Sequence, residues 1–313
     1  MATENYIPIG GDRAGAGGYL LPWDVGQILI NGILQEAGAI ALAGDARATS
    51  TRRTMFNIWL GEPTAGAVGE GGKKPVTGAA FDQTNMYVKK FASIVLFTDE
   101  MLEDVQAGDL NVLVDSGIRM AINDVIDAHA IGLDHGVPIA TVFDSMLAAT
   151  TQAVEFDQTK PDGLQLAISQ AMGLLEANGY ANPGQMGVLL GSGFAQVLRD
   201  ARSTLDPSLP IYGPGTGRDP LYGLSSAVST NLNHPKTAPA AGDTLGFVVH
   251  RPNIHVRVRK DVVLTTSSEA TIDDGVESRS LFQEDLTAVR YETRLGFFVH
   301  DINRAIVKIT NAT

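Results

Sequence analysis

From Thr54 to Phe97 the chain offers two strand-like runs joined by a connection that ordinary hairpins do not use. Met55, Phe56, Ile58 and Trp59 supply the aromatic and β-branched side chains of a first strand. A return strand is expected over Met86 to Phe97, carrying the basic pair Lys89-Lys90. Between them lies a glycine-rich tract, Gly61 to Gly78, bearing Glu62, Glu70, Lys73 and Lys74. Hairpin loops usually hold about two to five residues. A lone two-stranded ribbon is marginal in water because it has no face to bury. An extended ribbon with a polar, glycine-rich tip therefore needs a surface to lie on.

The rest of the composition narrows the setting. At 313 residues the chain fits one large domain or two modest ones, and 44% hydrophobic with 19% charged residues is a globular balance. Glycine stands at 34 residues, without a repeat period, and gathers in connecting stretches such as Gly15 to Gly18 and Gly213 to Gly217. The net charge of −12 speaks against a strongly basic nucleic-acid binder, whose affinity comes from neutralising phosphates. Cysteine is absent, which removes disulfides, thiolate metal sites and cysteine nucleophiles. The first residues lack the basic-then-apolar layout of a signal peptide, and no apolar run approaches the ~20 residues that span a bilayer. The sequence reads as a soluble protein of a reducing compartment.

Residues 1–50 read as an arm, with Val25, Ile28, Leu29 and Leu34 on one face of a short helix that Gly38 and Gly44 break. The strongest helix is expected from about Leu110 to Leu133. There Leu113, Val114, Ile118, Ile122, Val125, Ile126 and His129 follow the three-and-four spacing of a buried face, capped by Asp109 and stopped by Asp134 to Gly136. From Thr159 the pattern turns α/β: a helix over Leu164 to Ala177, a strand over Met186 to Leu190, and a helix capped by Ser192. Asp206 to Gly223 is loop-like. Short strands follow at Phe247 to His250, Ile254 to Arg259 and Val262 to Thr265, then a polar turn region over Ser267 to Gly275. The chain closes on strands at Ala288 to Val299 and Ala305 to Ile309.

Catalytic signatures fail when tested. Gly72-Lys73 lacks both the upstream glycine and the following hydroxyl of a phosphate loop. Gly213-Pro-Gly-Thr-Gly has the wrong spacing for a dinucleotide fingerprint. Ser192 lacks the glycine two residues before it that a nucleophile elbow requires. None of the six histidines forms a His-x-x-x-His pair, and His129 reads as a residue of the helix's packing face. Asp99, Glu100, Glu103 and Asp104 form the densest acidic group, a solvated run favourable to a helix N-terminus. No cofactor or metal site is proposed, and nothing proposes an enzyme.

Taken in order, these pieces resemble the major capsid proteins of tailed phages with the HK97-type fold. Gly18-Tyr-Leu-Leu-Pro-Trp is similar to that family's N-arm entry. Trp59-Leu-Gly-Glu, Gly69-Glu-Gly-Gly-Lys-Lys-Pro and Tyr87-Val-Lys-Lys-Phe-Ala resemble its extended E-loop and return strand. Val95-Leu-Phe-Thr-Asp-Glu-Met-Leu-Glu-Asp looks like the entry to its spine helix. Leu221-Tyr-Gly-Leu, Gly242-Asp-Thr-Leu and Arg290-Tyr-Glu-Thr-Arg-Leu-Gly-Phe resemble later landmarks, so the likeness spans about residues 18 to 310.

The resemblance implies an α+β chain with an N-arm over 1–50, an E-loop hairpin over 51–97 and a peripheral domain with a spine helix over 98–158. An α/β axial domain over 159–284 and C-terminal strands over 285–313, returning to the peripheral domain, complete it. It implies a structural shell protein of the virion, assembled in the host cytoplasm as hexamers and pentamers into an icosahedral capsid that holds double-stranded DNA without sequence specificity. Neighbouring copies would meet through Glu62, Glu70, Lys73 and Lys74 on the E-loop and through Tyr212, Arg218 and Asp219 on the axial loop. Ile118, Ile122 and Val125 would pack the spine. No heptad run precedes the hairpin, so a separate scaffold protein is expected, together with a portal. Lys73 and Lys74 stand where some members form isopeptide crosslinks, but no matching asparagine and glutamate motif is found, so non-covalent shells are expected. An encapsulin-like compartment around an enzyme cargo shares the fold, but residues 1–17 offer no helix for a cargo groove. A soluble α/β enzyme would instead need a pocket of converging polar groups.

Overall fold

Whether a strand is apolar on one face or on two decides which layer of this molecule it occupies. A computed structural model describes residues 38–60, 65–76, 78, 80–99, 107–158, 160, 162–200, 221–235, 239–273 and 278–312. The helical pattern expected around Val25 to Leu34 lies outside them. After a short helix α1 (Gly38–Ala41) come strands β1 (Asp45–Ala48), β2 (Arg53–Leu60), β3 (Ala80–Tyr87) and β4 (Lys89–Thr98). Helix α2 (Ala107–Ile131) leads to β5 (Leu133–Asp134), β6 (Val137–Pro138), α3 (Met146–Ala149) and β7 (Ala153–Phe156). Next are α4 (Gly163–Ala177), β8 (Met186–Gly191), α5 (Phe194–Asp200), β9 (Ser225–Ser229) and β10 (Thr244–His250). The chain ends with β11 (Ile254–Ser267), β12 (Thr271–Asp273), β13 (Ser278–Ser280), β14 (Leu286–Val299), α6 (Ile302–Ala305) and β15 (Ile306–Asn311).

A five-stranded mixed sheet has the order β7-β15-β10-β8-β9. All of β10 is buried, because both faces of the sheet are covered. Phe247 and Val249 join Ile122, Ile126 and Ile131 of α2 and Val256, Tyr291 and Phe297 in one core. Leu245 and Val248 join Leu164, Ile168, Ala171 and Leu175 of α4 in a second. The four-stranded sheet β1-β11-β14-β4 closes the first core from its other side.

Several sequence expectations change here. The hairpin's return strand is β3, not Met86 to Phe97. β3 pairs β2 from Arg53↔Tyr87 to Leu60↔Ala80, whereas β4 pairs β14 from Lys89↔Leu295 to Thr98↔Leu286. The expected strand covers β4 and only the last two residues of β3, because β-propensity does not encode which partner a segment will find. The break expected at Lys260-Asp261 is absorbed within the single strand β11, whose ladder with β14 shifts register at Val258/Lys260 and Lys260/Val263. The C-terminal strands divide: β14 completes the four-stranded sheet, while β15 enters the five-stranded one between β10 and β7. β11, expected in the axial domain, lies in the same sheet as β14.

The long helix ends earlier than expected, at Ile131, where Gly132 takes φ 99°. A left-handed position just beyond a helix is one that glycine occupies without strain. The buried stripe of α2 runs through Ile122, Ile126 and Ala130, flanked by Asn123, Asp127 and Ile131. Ile122 is 4% exposed, whereas Val125 is 46% exposed and does not join the packing. At ~3.6 residues per turn, the stripe steps by fours and leaves Val125 on the far side. Ile118 lies in this helix, but its side chain is outside the described residues.

A buried carboxylate ties α1 to this helix. Asp127 is 4% exposed, and its Oδ1 accepts from the Ala39 backbone N–H at 2.7 Å while Oδ2 accepts from the Ser229 hydroxyl. Gly38 is needed here, since a Cβ would stand 2.8 Å from the Val228 carbonyl oxygen. Burial pushes the Asp127 pKa from 3.8 up to about 6, against the lowering effect of its Ser229 and Ala39 hydrogen bonds. Asp45 behaves oppositely: the Arg257 guanidinium, partly offset by burial and aided by His255, holds its pKa at about 2.

Two predictions follow from this packing. Ile126→Ala should destabilise the unassembled subunit by about 2–5 kcal/mol through lost transfer energy and a cavity. Val125→Ala should stay within about 0.5 kcal/mol in the same denaturant titration, and equal losses would place the stripe elsewhere. The second concerns pH. Because the folded Asp127 pKa lies above its unfolded value, its favourable contribution is complete below about pH 4 and is lost as pH rises through about 6. That loss is about 3 kcal/mol from the size of the shift. Asp45 contributes above about pH 4 and loses its contribution as pH falls towards 2. Asp127→Asn should therefore flatten the decline in subunit Tm between pH 4 and 7, and parallel curves for the two proteins would refute the assignment.

Candidate functional site

The ribbon β2–β3 is anchored at its root. At its root Val88 N–H donates to the Arg52 carbonyl at 3.0 Å, and Met86 is buried. Met86 seats against Gly296 of β14, where a Cβ would come 3.3 Å from the thioether sulfur. The Phe56 ring stacks 5.2 Å from Phe298 and lies 4.8 Å from His255, with the Arg257 guanidinium 5.7 Å above it. Arg257 Nη2 in turn donates to Asp45 Oδ2 at 2.7 Å, so β1, β11 and the ribbon share one charged and aromatic joint.

Beyond that joint the ribbon leads to the tip, where residues 65–76 are exposed throughout. Glu70, Lys73 and Lys74 all stand on the exposed tip, beside Val68 at 40% and Val76 at 92% exposure. Glu62, Tyr212, Arg218 and Asp219 lie outside the described residues.

Two concave surfaces were not singled out from the sequence. One, of about 520 Å³, lies between α2 and β9 and is lined by Met120, Ala121, Asn123, Asp124, Asp127, His135, Val228, Ser229 and Thr230. Met120 and Val228 are 67% and 59% exposed, leaving an apolar rim over the buried Asp127. At its edge Asp124, Asp134 and His135 bring one ligand atom each within 4.8 Å of one another. His135 Nε2 lies 3.9 Å from Asp124 and 3.8 Å from Asp134.

The other, of about 340 Å³, sits at the ribbon's root and is lined by Arg52, Val88, Lys89, Lys90, Arg259 and Arg294. Glu292 lies beside it, accepting from Arg294 Nη2 at 2.8 Å and 3.9 Å from Lys90 Nζ. Of these residues only Lys89-Lys90 gave a local signal. The others come from three distant segments that the strand ladders bring together.

Comparison with known proteins agrees with this architecture. The model of the family described as "Phage capsid family" matches residues 17–311. A solved structure from Mycobacterium phage Adephagia is 16% identical, with 89% of this chain and 91% of that one covered and a TM-score of 0.66. One from Mycobacterium phage Ogopogo is 20% identical, covering 88% and 91%, with a TM-score of 0.64. The capsid of an empty GTA particle, computed with C5 symmetry, is 14% identical, covering 89% and 91%, with a TM-score of 0.60. No curated protein matches this chain by sequence. The mixed α+β layers and a family match over nearly the whole length carry one conclusion: the chain belongs to the phage capsid family, as a structural, non-enzymatic protein of the virion shell.

Proposed function

We propose that the chain builds its icosahedral shell from hexamers and pentamers that enclose double-stranded DNA. The ribbon β2–β3 acts as the E-loop and lies across a neighbouring copy, with Glu62, Glu70, Lys73 and Lys74 at that contact. Helix α2 is the spine of a peripheral domain, and the layers around the five-stranded sheet form the axial domain, whose loop carries Tyr212, Arg218 and Asp219 to the capsomer centre. The observation that carries this reading is the exposed tip: Val68 and Val76 stand on a glycine-rich loop with no core of its own. A neighbouring copy supplies the surface that such a ribbon lacks.

An acidic chain suits a container. A net charge of −12 lets the shell hold DNA without gripping it, since a strongly basic lining would oppose packing and release. Quasi-equivalent contacts differ too little in free energy to choose one radius, so a separate scaffold protein fixes curvature and a portal occupies one vertex. The contacts are non-covalent.

Purified protein seen by electron microscopy tests the reading directly: closed shells are expected, and a monodisperse monomer under all assembly conditions would overturn it. Amides of residues 65–76 should exchange quickly in free subunits and gain protection in shells. Equal protection in both states would remove the proposed role of the ribbon. Boiled mature particles should run as one band near 33.1 kDa on a denaturing gel, and a surviving ladder would show crosslinks.

A further inference from the structure

We infer that the pocket at the ribbon's root is a binding site for phosphate groups. Arg52, Lys89, Lys90, Arg259 and Arg294 line it around Val88. Five of the chain's 23 lysines and arginines thus meet in one concavity of a protein whose net charge is −12. Separate segments deliver them. The Arg52 carbonyl accepts from the Val88 N–H at 3.0 Å, which sets Arg52 near Lys89 where the ribbon leaves the body. Lys90 stands opposite Arg294 in the β4–β14 ladder. Arg259 arrives through a β-bulge: Val258 faces Leu295 and Lys260 faces Arg294, so Arg259 is the extra residue of β11. A bulge re-aims side chains out of the regular alternation, and this one adds a cation to the pocket.

The cations are not balanced where they stand. Like charges directly opposite each other in an antiparallel ladder are destabilising, and Lys90 and Arg294 are such a pair. Glu292 offsets that pair: its Oε1 accepts from Arg294 Nε at 2.9 Å and Nη2 at 2.8 Å, and Lys90 Nζ lies 3.9 Å from Oε2. Among the described residues, no ion pair holds Arg52, Lys89 or Arg259, and all three are exposed. Five cations against the one carboxylate that pairs with them leave an excess of four positive charges. A further carboxylate removes only one of these, whereas a terminal phosphate group carries about −1.5 to −2 at neutral pH. Two linked phosphates match the excess. The planar guanidinium groups of Arg52 and Arg259 suit them, because paired N–H donors meet two phosphate oxygens at once. A bound anion ties Arg52 to strands β4, β11 and β14, and so braces the ribbon against the body. The phosphates come either from a free polyphosphate anion or from the backbone of DNA. The site belongs to one subunit and does not rest on the shell reading.

Calorimetric titration of the unassembled full-length chain with inorganic pyrophosphate, at an ionic strength matched with chloride, tests the site. Saturable binding of one pyrophosphate per subunit is expected, with a rise in Tm that chloride alone does not give. Arg52→Gln and Arg259→Gln should each weaken that binding at least about tenfold, the size of one lost hydrogen bond between charged groups. Arg53→Gln removes the same charge from an exposed neighbour outside the pocket and should leave the affinity nearly unchanged. Circular dichroism and thermal unfolding without ligand establish that each variant folds. A short DNA duplex added to the complex separates the two sources. Displacement of pyrophosphate with a steep salt dependence identifies the DNA backbone, and undisturbed pyrophosphate identifies a free anion. Three results refute the inference: no saturable pyrophosphate binding, an equal loss in Arg53→Gln, or citrate bound as tightly as pyrophosphate. The last assigns the pocket to carboxylates of a neighbouring copy. Every measurement is made on unassembled subunits, so these outcomes leave the shell reading standing.

Discussion

The whole arrangement depends on one ladder. β14 hydrogen-bonds to β11 on one side and to β4 on the other along most of its fourteen residues. Its inward side chains, Val289, Tyr291, Leu295 and Phe297, form the floor of the core that α2 covers. Its Gly296 leaves the space into which Met86 of the ribbon fits. Strand register is fixed wherever one face is buried, because a slip of one residue would turn every apolar side chain towards water. The buried face of β14 therefore fixes at once where the ribbon leaves the body and where the charged residues of β4 stand.

The second constraint is electrostatic and acts at the two joints of the chain. Asp45 sits in contact with Arg257 and His255, and the guanidinium holds it charged. Asp127 sits among backbone and hydroxyl donors, with no cation beside it among the described residues, so burial favours its protonated form. One carboxylate secures β1 against β11 through an ion pair, and the other secures α1 against α2 through hydrogen bonds. These joints differ in sign with pH because a charge partner and desolvation shift a carboxylate in opposite directions.

Much of this was legible in the sequence, and the failures share a cause. Periodicity located α2 and α4, and the apolar run of Met186 to Leu190 announced the buried strand β8. The glycine-rich tract announced a ribbon without a core of its own. Pairing partners were not legible: the return strand was expected over β4 with only the last two residues of β3, β11 read as two strands, and nothing local announced that β15 would enter the five-stranded sheet. Local propensity says that a segment will be extended, while tertiary packing chooses its neighbour. Val125 failed for a related reason, since spacings of three and of four both look helical and only the facing surface selects between them. The root pocket was illegible apart from Lys89-Lys90, because Arg52, Arg259 and Arg294 meet only after three strands have found their register.

If the ribbon lies across a neighbouring copy, as proposed, a weak contact repeated around a ring suits it better than one strong contact would. Holding a glycine-rich backbone in one conformation costs roughly 1–2 kcal/mol per residue, and the twelve residues from 65 to 76 offer only Val68 and Val76 as large apolar side chains in return. Each buried valine contributes about 1.5–3 kcal/mol, so the tip's own contacts do not offset its ordering. The balance must come from the rigid part of the subunit, where surfaces dock without loss of backbone freedom. Once rigid bodies have met, the tip is held close to its target, and its binding becomes an intramolecular step at high effective concentration. On that proposed contact, docking of the bodies precedes settling of the ribbon. An interface built in that order stays reversible while the ring is forming and tightens only after the neighbours are in place.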